Sequence, residues 1–281
     1  MFLRAFLLFN LIALNAFAFC EPLNQNNPDN QNPICQQKNA LFNESLEILE
    51  TSQIGQLALA QIHSPELQIL MALENDVHPS LPNLSENGII TFVPATEPDQ
   101  KNFMLIPNIL YYFDEDGKHP FEPTALFYAS ILVHELLHFH DRSIGAQEIA
   151  FAKEWAASTG GLAFLISFKL APWTAYIAEA RAFTVQCNFH AEIKNWNAMG
   201  MEHFYRKNST LFQNPSDCNS NPEFLRKFLA EKLAPYHFAE KVTAESLAQV
   251  AVSGILSSYE LPSYRSMYEN FISYFDKLAG N

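Results

Sequence analysis

Short apolar runs and longer stretches with helical spacing alternate along the first half of this chain. From Leu41 to Ile62 the apolar residues recur with the spacing of one helix face, which predicts a helix. Leu67 to Leu73 is expected to continue as a second, short helix. Three further runs, Ile89 to Val93, Phe103 to Ile106 and Leu110 to Phe113, are apolar and aromatic and predict strands. The first half therefore combines helix with sheet.

The second half is dominated by helical patterns. Pro123 to Asp141 predicts one helix, with the proline at a helix start, where its missing N–H is tolerated. The apolar segment from Leu162 to Leu170 contains one charged residue, Lys169, and Pro172 follows it, which favours a buried helix or a hydrophobic lid over a membrane span. Amphipathic helices are predicted near Glu223–Leu233, Ala244–Ser258 and Tyr264–Leu278.

Residues 1–18 have the features of an export signal. Arg4 provides a charged start, Phe6 to Leu14 an apolar core, and Ala16 and Ala18 the small residues at positions −3 and −1 of a cleavage site. We expect the mature chain to begin at Phe19, to be periplasmic or secreted, and to have no stable membrane span. The segment from Glu21 to Lys38 is rich in asparagine, glutamine and proline, which predicts a flexible, extended tail over 19–38.

Composition, charge and cysteine content narrow the function. The 281 residues include 30 acidic and 17 basic side chains, and the net charge of −13 excludes nucleic-acid binding and adhesion to an anionic membrane. Four cysteines follow the predicted cleavage site, and an even number in an exported chain predicts two disulfides. Four cysteines allow three pairings. The pairing between neighbours in sequence is Cys20 with Cys35 and Cys187 with Cys218.

The strongest chemical signal is the stretch His134-Glu135-Leu136-Leu137-His138 within the predicted helix over 123–141. Histidines at this spacing lie on one helix face, one turn apart, so their imidazole nitrogens can bind a single Zn²⁺. Glu135 then lies beside the metal without binding it and can accept a proton from a zinc-bound water. The alternative is a core helix with two hydrogen-bonded histidines and a surface glutamate.

This helix resembles the active-site helix of the zincin metallopeptidases. The metzincin branch of that group is excluded, because its glycine and its third histidine are replaced here by Asp141 and Ile144. The gluzincin branch takes its third zinc ligand, a glutamate, from a later helix. The resemblance therefore implies one zinc ion per chain, with Glu179 of an alanine-rich apolar helix as the third ligand and Glu154 as the alternative.

The chain departs from the gluzincin pattern at one position. That pattern has an aspartate four residues after the ligand glutamate, which orients a ligand histidine, and this chain has Phe183 there. Asp141 is a substitute, because it lies seven residues after His134 and returns to nearly the same helix face. The alternative for Asp141 is an ordinary charged residue near a helix end.

The resemblance also implies a fold and an activity. The fold is a mainly helical α+β structure, with a small antiparallel sheet before the active-site helix, in one catalytic domain over 39–281 whose parts are 39–145 and a helical lobe, 146–281. The activity is zinc-dependent hydrolysis of a peptide or protein, with Glu135 as general base and Tyr176, or else His190 or His203, assisting at the carbonyl oxygen. The alternatives are an exported, non-enzymatic binding or scaffold protein and a zinc hydrolase of peptidoglycan stem peptides.

Overall fold

The computed structural model describes residues 19–24, 26–73, 90–95, 100–114, 117–142 and 178–193, with single positions at 150, 154, 218, 223, 224, 228 and 229. Several predicted features lie outside these residues: the export signal, the segment 162–170, Tyr176, His203 and the last two C-terminal helices. The described part is a mixed α+β structure. Its positions at 223, 224, 228 and 229 are helical, in agreement with the helix predicted near 223–233.

The helix predicted from Leu41 to Ile62 is two helices, α1 (Pro33–Glu50) and α2 (Gln53–Ile62). The break between them is stabilised by Ser52, whose Oγ accepts a hydrogen bond from the N–H of Gly55 at 2.8 Å and so caps α2. Glycine is required at position 55, because a Cβ there would overlap the carbonyl group of Leu49.

The segment 19–38 is folded, so the prediction of an extended tail is wrong. Phe19–Cys20 is strand β1, Pro28–Gln31 is a turn of 3-10 helix, and α1 already begins at Pro33. The disulfide between Cys20 and Cys35 joins β1 to α1, with 5.4 Å between the two Cα atoms. Asparagine and proline, which suggested disorder, here start helices: the side chain of Asn32 caps α1, and Pro33 occupies its first turn.

A four-stranded sheet has the order β1-β2-β4-β3, where β2 is Leu67–Ala72, β3 is Thr91–Val93 and β4 is Asn102–Ile106. The sheet is mixed, not antiparallel as predicted, because β2 and β4 run parallel while β1 and β3 pair antiparallel with their neighbours. The helix predicted over Leu67–Leu73 is wrong and the residues form β2, since a short apolar run has the same pattern in a buried strand and a buried helix.

The remaining predicted strands and the central helix are confirmed. β5 (Leu110–Asp114) and β6 (Gly117–Phe121) form a separate antiparallel pair, and α3 spans Ala125–His140. The start of α3 lies after Pro123 because Thr124 caps the helix, its Oγ1 accepting a hydrogen bond from the N–H of Phe127 at 3.2 Å. α1, α2 and β3 all pack against α3, so the helix with the histidines lies in the core.

Residues 178–192 form a further helix, α4, which packs antiparallel to α3. Ser130, His134 and His138 of α3 contact, in that order, Gln186, Phe183 and Glu179 of α4. Contacts that advance along one helix and retreat along the other define an antiparallel pair. None of the helices in the described ranges is long and apolar enough to cross a membrane.

Candidate metal centre

His134 and His138 lie one turn apart on α3, and their rings are adjacent, with centroids 4.9 Å apart. Both side chains are largely buried: His134 is 7% exposed and His138 15%. Apolar residues of α3, among them Leu132, Val133 and Leu136, pack into the core on the other faces of the helix. The helix is therefore fixed on its apolar faces, and the two imidazoles point toward α4.

Glu179 of α4 bridges the two histidines. Its Oε2 lies 3.3 Å from Nε2 of His134, and its Oε1 lies 3.4 Å from Nε2 of His138. One ligand atom from each of the three residues lies within 4.8 Å of the others, so this group, the ligand triad, could hold a metal ion. Glu154, the alternative third ligand, is exposed and is not part of this group.

Glu135 lies beside the ligand triad and is anchored by the sheet. The residue is 8% exposed, and its Oε2 accepts a hydrogen bond from the backbone N–H of Phe92 in β3 at 3.0 Å. β3 lies at an edge of the described sheet, and the N–H of Phe92 points away from β4 toward Glu135. The ring of Phe92 packs edge-on against Phe139 of α3, with centroids 6.0 Å apart, which fixes β3 on the helix.

The electrostatics of the site are those of crowded carboxylates beside imidazoles. Burial raises the pKa of Glu135, and the nearby histidines only partly offset this effect. Burial also works to raise the pKa of Glu179, but hydrogen bonds from His134 and His138 hold that pKa well below its usual range. For His138, burial works to lower the pKa, and the hydrogen bond and charge of Glu179 outweigh it and raise the pKa to about 9.

These pKa shifts indicate that an added positive charge stabilises the side chains of the site. With neutral imidazoles, Glu135 and Glu179 leave two negative charges in a poorly solvated space. A proton on His138 supplies part of the compensation, and a divalent cation bound by the triad would supply all of it. The donor set of two imidazoles and a carboxylate fits a metal ion of that charge.

Asp141 does not orient a ligand histidine. The residue caps the C-terminal end of α3, is 5% exposed, and forms a buried ion pair with Arg181 of α4 through the Nε of the arginine. Its Oδ1 also lies 2.8 Å from Nδ1 of His140. The alternative, a charged residue near a helix end, matches its position, but Asp141 is not an ordinary one, because Arg181 is fully buried and the pair joins the end of α3 to α4. The pair therefore positions the helix that carries Glu179.

His190 lies in a second polar group between the same helices. Its Nε2 is 2.6 Å from Oγ of Ser130, and that oxygen also accepts a hydrogen bond from Nε2 of Gln186 at 2.7 Å. Ser130, Gln186 and His190 are all fully buried and are here named the Ser130 cluster. His190 is therefore engaged one turn of α3 away from His134, and it is not among the residues grouped around Glu179.

Sequence reasoning missed Ser130, Gln186, Arg181 and Phe92. A signal for Gln186 existed, because Glu179, Gln186 and His190 recur at positions that share one face of a helix. Phe92 carried no signal, since it contributes a backbone N–H and not its side chain.

Both predicted disulfides are confirmed. Cys187 of α4 is bonded to Cys218, with 5.5 Å between the Cα atoms, and Cys20 is bonded to Cys35. The bond between Cys187 and Cys218 anchors α4 to a later helical position. Two disulfides indicate an oxidising compartment and so agree with export.

No protein-family model, curated protein or solved structure matches this chain. The chemistry of the site therefore has to be inferred from its own geometry.

Proposed function

We propose that this protein is an exported, zinc-dependent peptidase of gluzincin type, with His134, His138 and Glu179 as zinc ligands and Glu135 as general base. The observation that supports this most directly is the placement of Glu135. A buried carboxylate that is not a ligand lies next to three converging ligand atoms, and its sequence position and its hydrogen bond to Phe92 keep it there. A purely structural metal site has no need of such a group.

Zinc is the metal that this donor set fits best. Two imidazoles and one carboxylate are the protein ligands of one class of catalytic zinc site, in which a fourth position is left for water. Imidazole-rich sites disfavour magnesium and calcium, which prefer oxygen ligands. Zinc bound here would act as a Lewis acid, lowering the pKa of a bound water and polarising a substrate carbonyl.

Glu135 has the surroundings of a general base. The N–H of Phe92 holds Oε2, which leaves Oε1 to take a proton from the attacking water and to return it to the leaving amine. Burial raises the pKa of Glu135 above its ordinary value, which strengthens the carboxylate as a base. The side chain of Glu135 is held at its base by the backbone of α3 and at its carboxylate by the N–H of Phe92 in β3. Little reorganisation therefore accompanies proton transfer.

A peptide is the substrate class that the surroundings favour. β3 is an edge strand of the described sheet, and its free side faces Glu135, which already accepts the N–H of Phe92. An extended peptide would therefore add to this edge through the other main-chain groups of the strand, which would bring the peptide's backbone carbonyls past the ligand triad. A role for Tyr176 or His203 at the carbonyl oxygen stays a prediction, whereas His190 is already hydrogen-bonded to Ser130.

The test compares Glu135→Gln with wild type on a mixture of unmodified peptides, with zinc content measured on the same samples. Glutamine keeps a carbonyl oxygen for the N–H of Phe92 but cannot act as a base, so we expect hydrolysis to fall by about 10²- to 10⁴-fold with zinc retained. Glu154→Gln, at an exposed position, is the matched control and should hydrolyse normally. Unchanged hydrolysis by Glu135→Gln would contradict the mechanism. Zinc-loaded wild type that cleaves no peptide would favour a non-enzymatic metal-binding protein.

A further inference from the structure

His134 has a buried nitrogen without a hydrogen-bond partner. Its Nε2 faces Glu179, at 3.3 Å from Oε2, but its Nδ1 is buried and meets no donor or acceptor within the described part of the chain. In proteins, buried polar atoms are nearly always hydrogen-bonded, so an exception calls for an explanation. Among the three such side-chain atoms of the described residues, this one belongs to a ligand of the proposed metal.

Metal binding makes the missing partner costly. When Nε2 of a neutral imidazole binds a metal, the ring proton resides on Nδ1, which then becomes a hydrogen-bond donor. Ligand histidines almost always donate this proton to a carboxylate, a carbonyl oxygen or a water, and losing that acceptor typically weakens metal binding by about 10- to 100-fold. His134 must therefore bind the metal with a buried N–H that lacks an acceptor.

The carboxylates of the site are committed elsewhere. Glu179 faces Nε2 of both histidines, Glu135 accepts from Phe92, and Asp141 is paired with Arg181 and His140. None of them reaches Nδ1 of His134.

The side chain of α4 that covers His134 is Phe183, one helical turn after Glu179. Its ring centroid lies 4.5 Å from that of the imidazole, at an interplanar angle of 62°, and its other side packs at 90° against Phe228. An aromatic ring in this place holds the imidazole by packing but offers no conventional acceptor. The orientation of His134 is thus set by shape, whereas its proton remains unsatisfied.

We infer that Phe183 occupies the place from which an acceptor would bind Nδ1 of His134, and that the site consequently holds its metal with weakened affinity. This inference rests on the metal-binding part of the proposed function and does not depend on what the protein hydrolyses. Phe183 is a positioning residue in this account, because it acts on the metal through His134. A weakly held zinc makes the protein dependent on the zinc concentration outside the cell, since occupancy follows the free metal when the two are comparable.

The test measures the zinc dissociation constant of the full mature chain by competition with a chromogenic chelator. Phe183→Asp and Phe183→Asn each supply an acceptor, and Phe183→Leu removes the ring without supplying one. We expect Phe183→Asp to bind zinc about 10- to 100-fold more tightly than wild type, and Phe183→Asn to bind it more tightly by a smaller factor. Phe183→Leu should bind no more tightly than wild type. If the buried carboxylate of Phe183→Asp prevents folding, the neutral Phe183→Asn carries the test.

The outcomes separate this inference from the proposed function. Zinc bound equally by wild type and by every folded acceptor variant would contradict the inference and leave the proposed function intact. Tighter binding by Phe183→Leu as well would also contradict it, because relief of crowding would then explain the gain. Zinc bound by Phe183→Asp but not by wild type would support the inference in its strongest form. Absence of zinc from wild type and all three variants would overturn both proposals.

Discussion

Helices α3 and α4 meet through two buried polar groups that both contain histidine, and the two groups differ in what they require. In the Ser130 cluster, a hydroxyl that can donate and accept lies between an amide and an imidazole, so the contact between Ser130 and His190 needs no charged partner. In the ligand triad, the partner of His134 and His138 is a carboxylate, which only accepts, and Glu135 adds a second negative charge beside it.

The partners of a buried histidine, and not its burial, therefore distinguish a core residue from a metal ligand. One turn of α3 separates Ser130 from His134, and the same two helices supply both groups. The Ser130 cluster is nearly complete with protein atoms alone, whereas the triad is electrostatically incomplete without a cation. Variants in the ligand triad should therefore weaken metal binding, and variants in the Ser130 cluster should lower the free energy of unfolding.

Substitutions in the ligand triad should cause the protein to lose its metal, whereas substitutions in the Ser130 cluster should not. Structural zinc sites gain about 10–16 kcal/mol from four ligands, so one ligand is worth on the order of 3 kcal/mol, or about a hundredfold in affinity. We expect His138→Ala and Glu179→Ala to lose zinc by elemental analysis, while His190→Ala retains about one zinc per chain. Zinc retained in His138→Ala would contradict the distinction between the two groups, because His138 would then be a core residue like His190.

The converse effect is loss of stability from the Ser130 cluster alone. Ser130→Ala removes an oxygen that contacts both Gln186 and His190 in a fully buried setting. Leaving buried polar groups without a partner costs about 1–3 kcal/mol, so we expect the free energy of unfolding to fall by about that amount. Denaturant titration measures it, and Ser45→Ala, another buried serine with a single local hydrogen bond, is the control. A change in zinc stoichiometry in Ser130→Ala would show that the two groups are coupled.

The sequence predicted the triad because each ligand lies in a pattern that fixes its direction. His134 and His138 share a helix face by spacing, and Glu179 lies in a helix that can pack against them. The choice between Glu179 and Glu154 depended on tertiary packing, which the sequence does not encode locally. The Ser130 cluster and the pair of Asp141 with Arg181 form across two helices that are distant in the chain, so spacing alone could not reveal them.

The same limit explains the errors in the fold. Spacing recovered α3, β4 and β5, where pattern and length agree with one element type. Leu67–Ala72 was assigned to a helix because its short apolar run has no period that separates strand from buried helix. The direction of β2 relative to β4 is a property of the pairing, and no residue in either strand specifies it.

A smaller effect, about tenfold per pH unit, is expected when protons compete for the triad. The pKa of His138 is raised from 6.5 to about 9, so zinc must displace a proton at neutral pH. The zinc affinity should therefore rise about tenfold per unit as the pH increases from about 6.5 toward about 9, and chelator competition at each pH measures it. A zinc affinity that does not change over this range would contradict a proton held on His138.

The same shift affects folding when the metal is absent. Because the folded-state pKa of His138 lies above the unfolded value, its proton stabilises the metal-free fold below about pH 6.5, and this contribution is lost as the pH rises through about 9. Thermal unfolding of chelator-treated protein should thus show a decreasing midpoint over that window, and His138→Gln should remove this component. In contrast, Ser130→Ala should shift the midpoint while leaving the pH dependence in place.

The smallest effect is expected at Glu154, which sequence reasoning kept as the alternative to Glu179. The residue is exposed, and its carboxylate is not among the described groups that could hold the metal. Glu154→Ala should bind zinc as wild type does and unfold within about 0.5 kcal/mol of it, as surface substitutions usually do. The matched variant Glu179→Gln keeps the size of the side chain but removes the charge, and it should bind zinc weakly. Both changes remove one glutamate charge. A difference in zinc binding between the two variants is therefore due to the position of the glutamate and not to the net charge. Zinc binding weakened equally in Glu154→Ala and Glu179→Gln would show that the long-range charge, and not the geometry of the triad, attracts the metal.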